Sequence, residues 1–107
     1  MRVWGVWPAI LCKRHLLGEH FEIHMFIGNI RNGKSLKGYI ENGLVEVHNL
    51  KLRHEELVKE MEFRGGVHKS PFPDISLWEA GKIDVHKSLT DLTNRCFICA
   101  QNIKRRL

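Results

Sequence analysis

From Pro8 to Arg31 the chain runs without a second proline or a turn dipeptide, and this stretch constrains the fold more than any other. Proline suits a first helical turn, because its φ is already helical and its missing N–H has no partner there anyway. Gly28, Asn29, Asn32 and Gly33 supply stop signals at the far end, so the spacing predicts a helix over 8–31. At about 100° per residue, Leu11, His15, Glu19, Glu22 and Phe26 fall on one side, with Gly18 at its edge. The other directions carry Ile10, Leu16, Leu17, Phe21, Ile23, Met25 and Ile27. A helix apolar nearly all round is a buried one, and a carboxylate on it needs a partner or a task. Either Glu19 and Glu22 pair with basic side chains from elsewhere, or one of them is an acid or base.

The rest of the chain is equally short of strand signals. Residues 32–43 hold three glycines, two asparagines and charged side chains, the composition of a loop. Leu44, Val47, Leu50, Leu57, Val58 and Met61 predict a second helix over 44–64, stopped by Gly65-Gly66. Pro71 and Pro73 exclude a continuous helix over 67–75, and Ser76 with Glu79 has the spacing of a capping box for a short turn over 76–80. Val85, Leu89, Leu92, Cys96, Cys99 and Ile103 predict a third helix over 84–106. The expected fold is therefore all-α, a single domain over 1–107 built as a bundle of three main helices with an extended N-terminal segment.

Charge narrows the partners. The 107 residues carry 17 Lys and Arg against 12 Asp and Glu, a net charge of +5 that favours a polyanion such as nucleic acid. Val3 to Cys12, the longest apolar run, contains Gly5 and Pro8 and is far shorter than the roughly 20 residues that span a bilayer, so no membrane partner is expected. Lys13, Arg14 and His15 follow it where a signal peptide would need small residues. Three cysteines, an odd number, fit a reducing cytoplasm better than a disulfide framework.

Several motifs are absent. There is no phosphate-binding glycine loop and no G-x-S-x-G elbow. His20 and His24 have metal-ligand spacing and His15 lies on the same helix, but the H-E-x-x-H signature is missing, and solvated or core-edge histidines are the simpler reading. Cys96-x-x-Cys99 is half of a zinc site with no second pair in the sequence and reads as two buried thiols. No metal and no other cofactor is expected. Trp4, Trp7 and Trp78 are either core aromatics or stacking groups.

Arg2-Val3-Trp4, followed by Leu11-Cys12-Lys13-Arg14-His15-Leu16-Leu17-Gly18-Glu19-His20-Phe21-Glu22, resembles the endonuclease V type of pyrimidine-dimer DNA glycosylase, whose first helix carries H-L-x-x-E-x-x-E. The similarity continues more weakly through Gly43 and the 44–64 segment to Arg64-Gly65. It implies a compact three-helix fold acting on damaged double-stranded DNA, with combined glycosylase and abasic-site lyase activity and no metal. It implies that an N-terminal α-amine is the nucleophile and that the second glutamate of the motif, Glu22, is the essential carboxylate. Arg2, His15 and Glu19 match positions near the DNA or the catalytic centre, and Arg14 adds a basic side chain beside them. Two positions depart from the family, which commonly has arginine where this chain has Phe21 and Met25. Methionine before bulky Arg2 should be retained, which makes Met1 the nucleophile.

The chemistry suits these groups. An α-amine ionises about two to three units below a lysine, so more of it is unprotonated at neutral pH. A carboxylate near C1′ can stabilise the positive charge that develops as the base departs, and can then assist proton removal for strand scission. The expected enzyme is a monomer in the cytoplasm, associated with the nucleoid through its DNA. Two rivals remain: a non-catalytic nucleic-acid-binding helical domain that kept the fold, which needs neither a free amine nor Glu22, and a histidine-rich metal protein, which would purify with stoichiometric metal.

Overall fold

Leu11 and Cys12 interrupt the helix expected over 8–31. In a computed structural model, which describes residues 1–106, Pro8–Ile10 form a single 3-10 turn and α1 runs over Lys13–Arg31. Leu11 at the break is extended (φ −72°, ψ 134°). Arg64 at the far end of α3 (Leu50–Phe63) bridges the break, its Nη2 donating to Leu11 O at 2.7 Å and to Pro8 O, which also accepts the Leu11 N–H, at 3.1 Å. Cys12 caps α1, its Sγ accepting the His15 N–H.

The expected loop over 32–43 contains one short helix, α2 (Lys37–Glu41). The expected 44–64 helix starts late, after a 3-10 turn at Val47–Asn49. Residues before it are drawn out by backbone pairing on two sides: Val3 N–H donates to Leu44 O at 2.7 Å, and Val47 N–H to Ala80 O at 2.9 Å. That second bond uses Ala80 in extended chain, and no helical turn forms over 76–80. Gly81 next to it is left-handed (φ 87°), and a Cβ there would lie 2.1 Å from Val45 O, so only glycine lets the two segments pass.

The expected 84–106 helix is two helices. Asp84 caps α4 (Val85–Arg95), and α5 follows over Phe97–Arg106. Cys96 between them is extended (φ −133°, ψ 111°), although no proline or glycine stands there.

The fold is all-α, with five α-helices and no strand among the described residues, and the segment before Pro8 carries no regular secondary structure and turns at Gly5 (φ 72°). Val3, Val6, Ile10 and Leu11 join Leu16, Ile23, Phe26 and Ile27 of α1 and Leu50 and Leu57 of α3 in one buried apolar cluster. One face of α1 escapes it: Leu17, Phe21 and Met25, four residues apart, are exposed, so this helix is not buried all round. No described helix is long and apolar enough to cross a membrane.

Candidate active site

Burial of Val3, Trp4 and Val6 anchors the N-terminal strap beside α1. The consequence at its tip is that the Met1 α-amine lies 3.8 Å from Glu22 Oε1. Glu22 has no other ion-pair partner among the described residues and remains 29% exposed, so its carboxylate is open to an incoming molecule. Arg2, on the wall beside them, reaches α4. Its Nη1 donates to Asp91 Oδ2 at 3.2 Å, its Nη2 reaches Ser88 Oγ at 3.4 Å, and its guanidinium lies over the Trp4 ring, 3.8 Å from the centroid. Arg2 Nε is buried with no hydrogen-bond partner.

Glu19, one turn from Glu22, has a different fate. It is 1% exposed, and Arg53 of α3 grips it with two N–H donors, Nε to Oε2 at 2.5 Å and Nη2 to Oε1 at 3.1 Å. Arg53 also donates to Val6 O at 2.7 Å, tying the N-terminal strap to both helices. Burial pushes the Glu19 carboxyl up, with the Arg53 hydrogen bonds and charge acting against it. Glu19, which the family resemblance puts near the DNA or the catalytic centre, stands in this structure as half of a buried ion pair.

Met1, Arg2, Trp4, His15 and Glu22 line one open concavity of about 610 Å³, with Lys87 and Arg95 from α4 on its wall. Sequence reading missed these two cations, because nothing local distinguishes them from other surface charges. Arg14 is exposed on the first turn of α1. His15 lines the concavity, but its Nδ1 faces inward, 3.1 Å from Cys12 Sγ and 3.7 Å from Cys99 Sγ. Burial, with the nearby Arg14 charge, lowers its pKa, so the ring is held neutral. Of the three tryptophans, Trp4 is buried, whereas Trp7 and Trp78 are about half exposed.

The model of the pyrimidine dimer DNA glycosylase family matches residues 1–74. The chain belongs to that family. No curated protein and no solved structure matches it. The family region contains α1 to α3, and with them the Met1–Glu22 and Glu19–Arg53 pairs; α4 and α5, which supply Lys87, Arg95, Cys96 and Cys99, lie beyond it.

Two other clusters stand out in this glycosylase-family chain. Cys12 and His15 meet Cys96 and Cys99, and His20 and His24 meet His54 of α3 and His68 of the following loop. Neither gathering was legible, since each half-motif is matched by residues far along the chain. Burial, and the three other imidazoles, push the His20 pKa down to about 4.

Proposed function

We propose that this protein is a DNA glycosylase with abasic-site lyase activity on pyrimidine dimers or related base lesions, using the Met1 α-amine as nucleophile and Glu22 as the catalytic carboxylate. The observation that supports it is the 3.8 Å pairing of the amine with a carboxylate that has no other ion-pair partner among the described residues, inside a cation-lined concavity. The neutral amine attacks C1′ of the damaged nucleotide, forming an N–C1′ bond as the glycosidic C1′–N bond breaks and the base departs with its electron pair. Glu22 stabilises the positive charge at C1′, takes the proton that the amine loses on attack, and returns it to O4′ as the C1′–O4′ bond breaks and the sugar ring opens to a protonated imine. Removal of a C2′ proton from the imine then expels the 3′ phosphate, and the strand is cut. The target must leave the helical stack for its C1′ to reach Met1, so the duplex is bent and a nucleotide extruded. Lys87 and Arg95 on the concavity wall, with Arg14 exposed on the first turn of α1, hold the backbone in this reading, while Arg2, held by Asp91 and Trp4, shapes the wall.

The test is borohydride reduction during incubation with duplexes containing an abasic site or a cyclobutane dimer. An imine is reduced to a stable amine, so a covalent protein–DNA adduct is expected, and its cross-linked peptide should begin at Met1. An adduct on Lys87, the lysine in the same concavity, or on Lys13 or Lys34 would overturn the assignment of the nucleophile. DNA binding with no adduct and no cleavage would instead mark a non-catalytic binding domain.

A further inference from the structure

Cys12 and Cys96 occupy equivalent places. Each is extended and immediately precedes a helix, α1 or α5, and each Sγ accepts the N–H of the residue three positions on, His15 or Cys99, at 3.4 Å. The chain thus carries two turns of the form C-x-x-[HC], each offering two ligand atoms at a helix N-terminus, where N–H groups and the helix dipole favour anionic sulfur. The fold brings the two turns together. Cys12 Sγ lies 3.8 Å from Cys96 Sγ, and His15 Nδ1 lies 3.1 Å from Cys12 Sγ and 3.7 Å from Cys99 Sγ. All four ligand atoms are within 4.8 Å of one another. A tetrahedral zinc ion with bonds of about 2.3 Å to sulfur and about 2.0–2.1 Å to nitrogen requires edges of about 3.8 Å between sulfurs and about 3.6 Å between sulfur and nitrogen. The sulfur–sulfur edge fits this and excludes a disulfide, whose sulfurs are about 2.05 Å apart. The break at Cys96, where no proline or glycine stands, puts Cys96 at the helix N-terminus of α5, in the position that Cys12 holds before α1.

We infer that Cys12, His15, Cys96 and Cys99 bind one zinc ion, and that His20, His24, His54 and His68 bind a second divalent transition-metal ion. The first site is structural, since four protein ligands leave no open position, and it fastens the first turn of α1 to the α4–α5 junction. His15 then acts as a positioning residue in the wall of the concavity and not as a DNA contact.

The second site rests on separate observations. His54 Nε2 lies 3.1 Å from His20 Nε2 and 3.2 Å from His24 Nε2, and His68 Nε2 lies 3.1 Å from His20 Nε2. Four imidazoles converge through the same atom, at edges close to the roughly 3.3 Å that a tetrahedral ion with bonds of about 2.0–2.1 Å requires. His54 is fully buried, and its Nδ1 faces Glu55 Oε1 at 3.0 Å. A proton held there leaves Nε2 with a free lone pair, the carboxylate–histidine arrangement that orients metal ligands. Ser70 O, 3.2 Å from the same Nε2, is the competing partner if the proton sits on Nε2 instead. An imidazole set suits zinc, copper, iron or nickel. Bound metal would pin the 67–75 loop to α1 and α3 through His68.

Neither site depends on the glycosylase reading, and the test needs no DNA. Untagged protein purified without added metal, then freed of loose ions, should carry two metal equivalents per chain by elemental analysis. After exchange with Co(II), thiolate-to-cobalt charge-transfer bands should appear in the near ultraviolet. They should vanish in Cys96→Ser/Cys99→Ser with one equivalent retained, and persist in His24→Ala/His68→Ala with the other equivalent lost. X-ray absorption on the unmodified protein guards against variants that fail to fold, and should show both sulfur and nitrogen shells. One equivalent with sulfur ligation upholds the cysteine site and overturns the histidine site. One equivalent with nitrogen alone does the reverse, and a chain that neither carries metal nor takes up stoichiometric Co(II) overturns both.

Discussion

Up to residue 74, α1 and α3 press Leu16, Ile23, Phe26, Leu50 and Leu57 into a core where each is 2% exposed or less. Beyond it, among the described residues, Ile83, Ser88, Leu92 and Cys99 are buried; Ile83, Leu92 and Cys99 join the same apolar cluster, Leu89 and Ile103 pack against it, and polar and sulfur contacts add to the attachment. Arg2 bonds to Asp91, Asn102 Nδ2 donates to Ile10 O at 3.1 Å, and the Cys12 N–H donates to Cys99 Sγ at 3.2 Å. The first region therefore supplies most of the buried apolar side chains, and the second joins the same cluster with fewer of them and a few directional contacts. The concavity lies on the seam: the first region contributes the amine and the carboxylate, the second Lys87 and Arg95. Chemistry and DNA retention should consequently be separable by mutation.

The largest effect expected is on turnover. Glu22→Gln should lower single-turnover base excision by about 10²–10⁴-fold, or about 3–5.5 kcal/mol, since it removes a group that acts on charge present only in the transition state. Affinity for dimer-containing duplex and thermal stability should barely change, because Glu22 is partly exposed and its partner is a chain terminus. Parallel losses in binding and turnover would show that Glu22 is a structural ion pair like its neighbour Glu19.

Next in size is that neighbouring pair, where the response should be stability. Arg53→Met leaves the Glu19 carboxylate buried and unpaired, which costs about 3–5 kcal/mol. Denaturant unfolding should register the loss over the whole chain, because Arg53 joins α1, α3 and the N-terminal strap. A loss below about 1 kcal/mol would mean that water reaches Glu19 and that the pair behaves as an exposed one.

These two glutamates show how far the sequence could be read. Their shared presence on one helix was legible from spacing, as were the all-α class and the Gly65 stop. Which of the two would be spent on an ion pair was not, because Arg53 stands 34 positions from Glu19 and in an ordinary helical context. Helix ends failed for a related reason. At the breaks, Leu11 and Cys96 meet partners distant in sequence, Arg64 for one and Cys12 for the other, and neither Leu11–Cys12 nor Cys96 is itself a proline or glycine. The helix expected at 44–47 lost to backbone bonds with Val3 and Ala80.

Core truncation compares the two regions directly. Leu57→Ala and Leu92→Ala both remove a fully buried leucine and should each cost about 2–5 kcal/mol. In chelator-treated protein, where apolar packing alone is read, hydrogen exchange should distinguish them. Leu57→Ala should accelerate the slowest amides of α1 and α3, whereas Leu92→Ala should accelerate those of α4 and α5 first, by local opening. Uniform acceleration in both variants would show that the C-terminal helices unfold only with the core.

The smallest effect expected is electrostatic and belongs to the seam. Arg95 comes from the second region and Arg14 from the first, and both are exposed. A phosphate contact positions the protein without reading a base, so Arg14→Ala and Arg95→Ala should each weaken damaged and undamaged duplex alike. Each should also reduce the slope of log affinity against log salt by about one. Turnover of bound substrate should stay unchanged, because neither side chain touches Met1 or Glu22 through any ion pair or hydrogen bond among the described residues. If Arg14→Ala changes the slope and Arg95→Ala does not, DNA is held by the first region alone. The contribution of α4 to the concavity would then be to position Arg2 through Asp91.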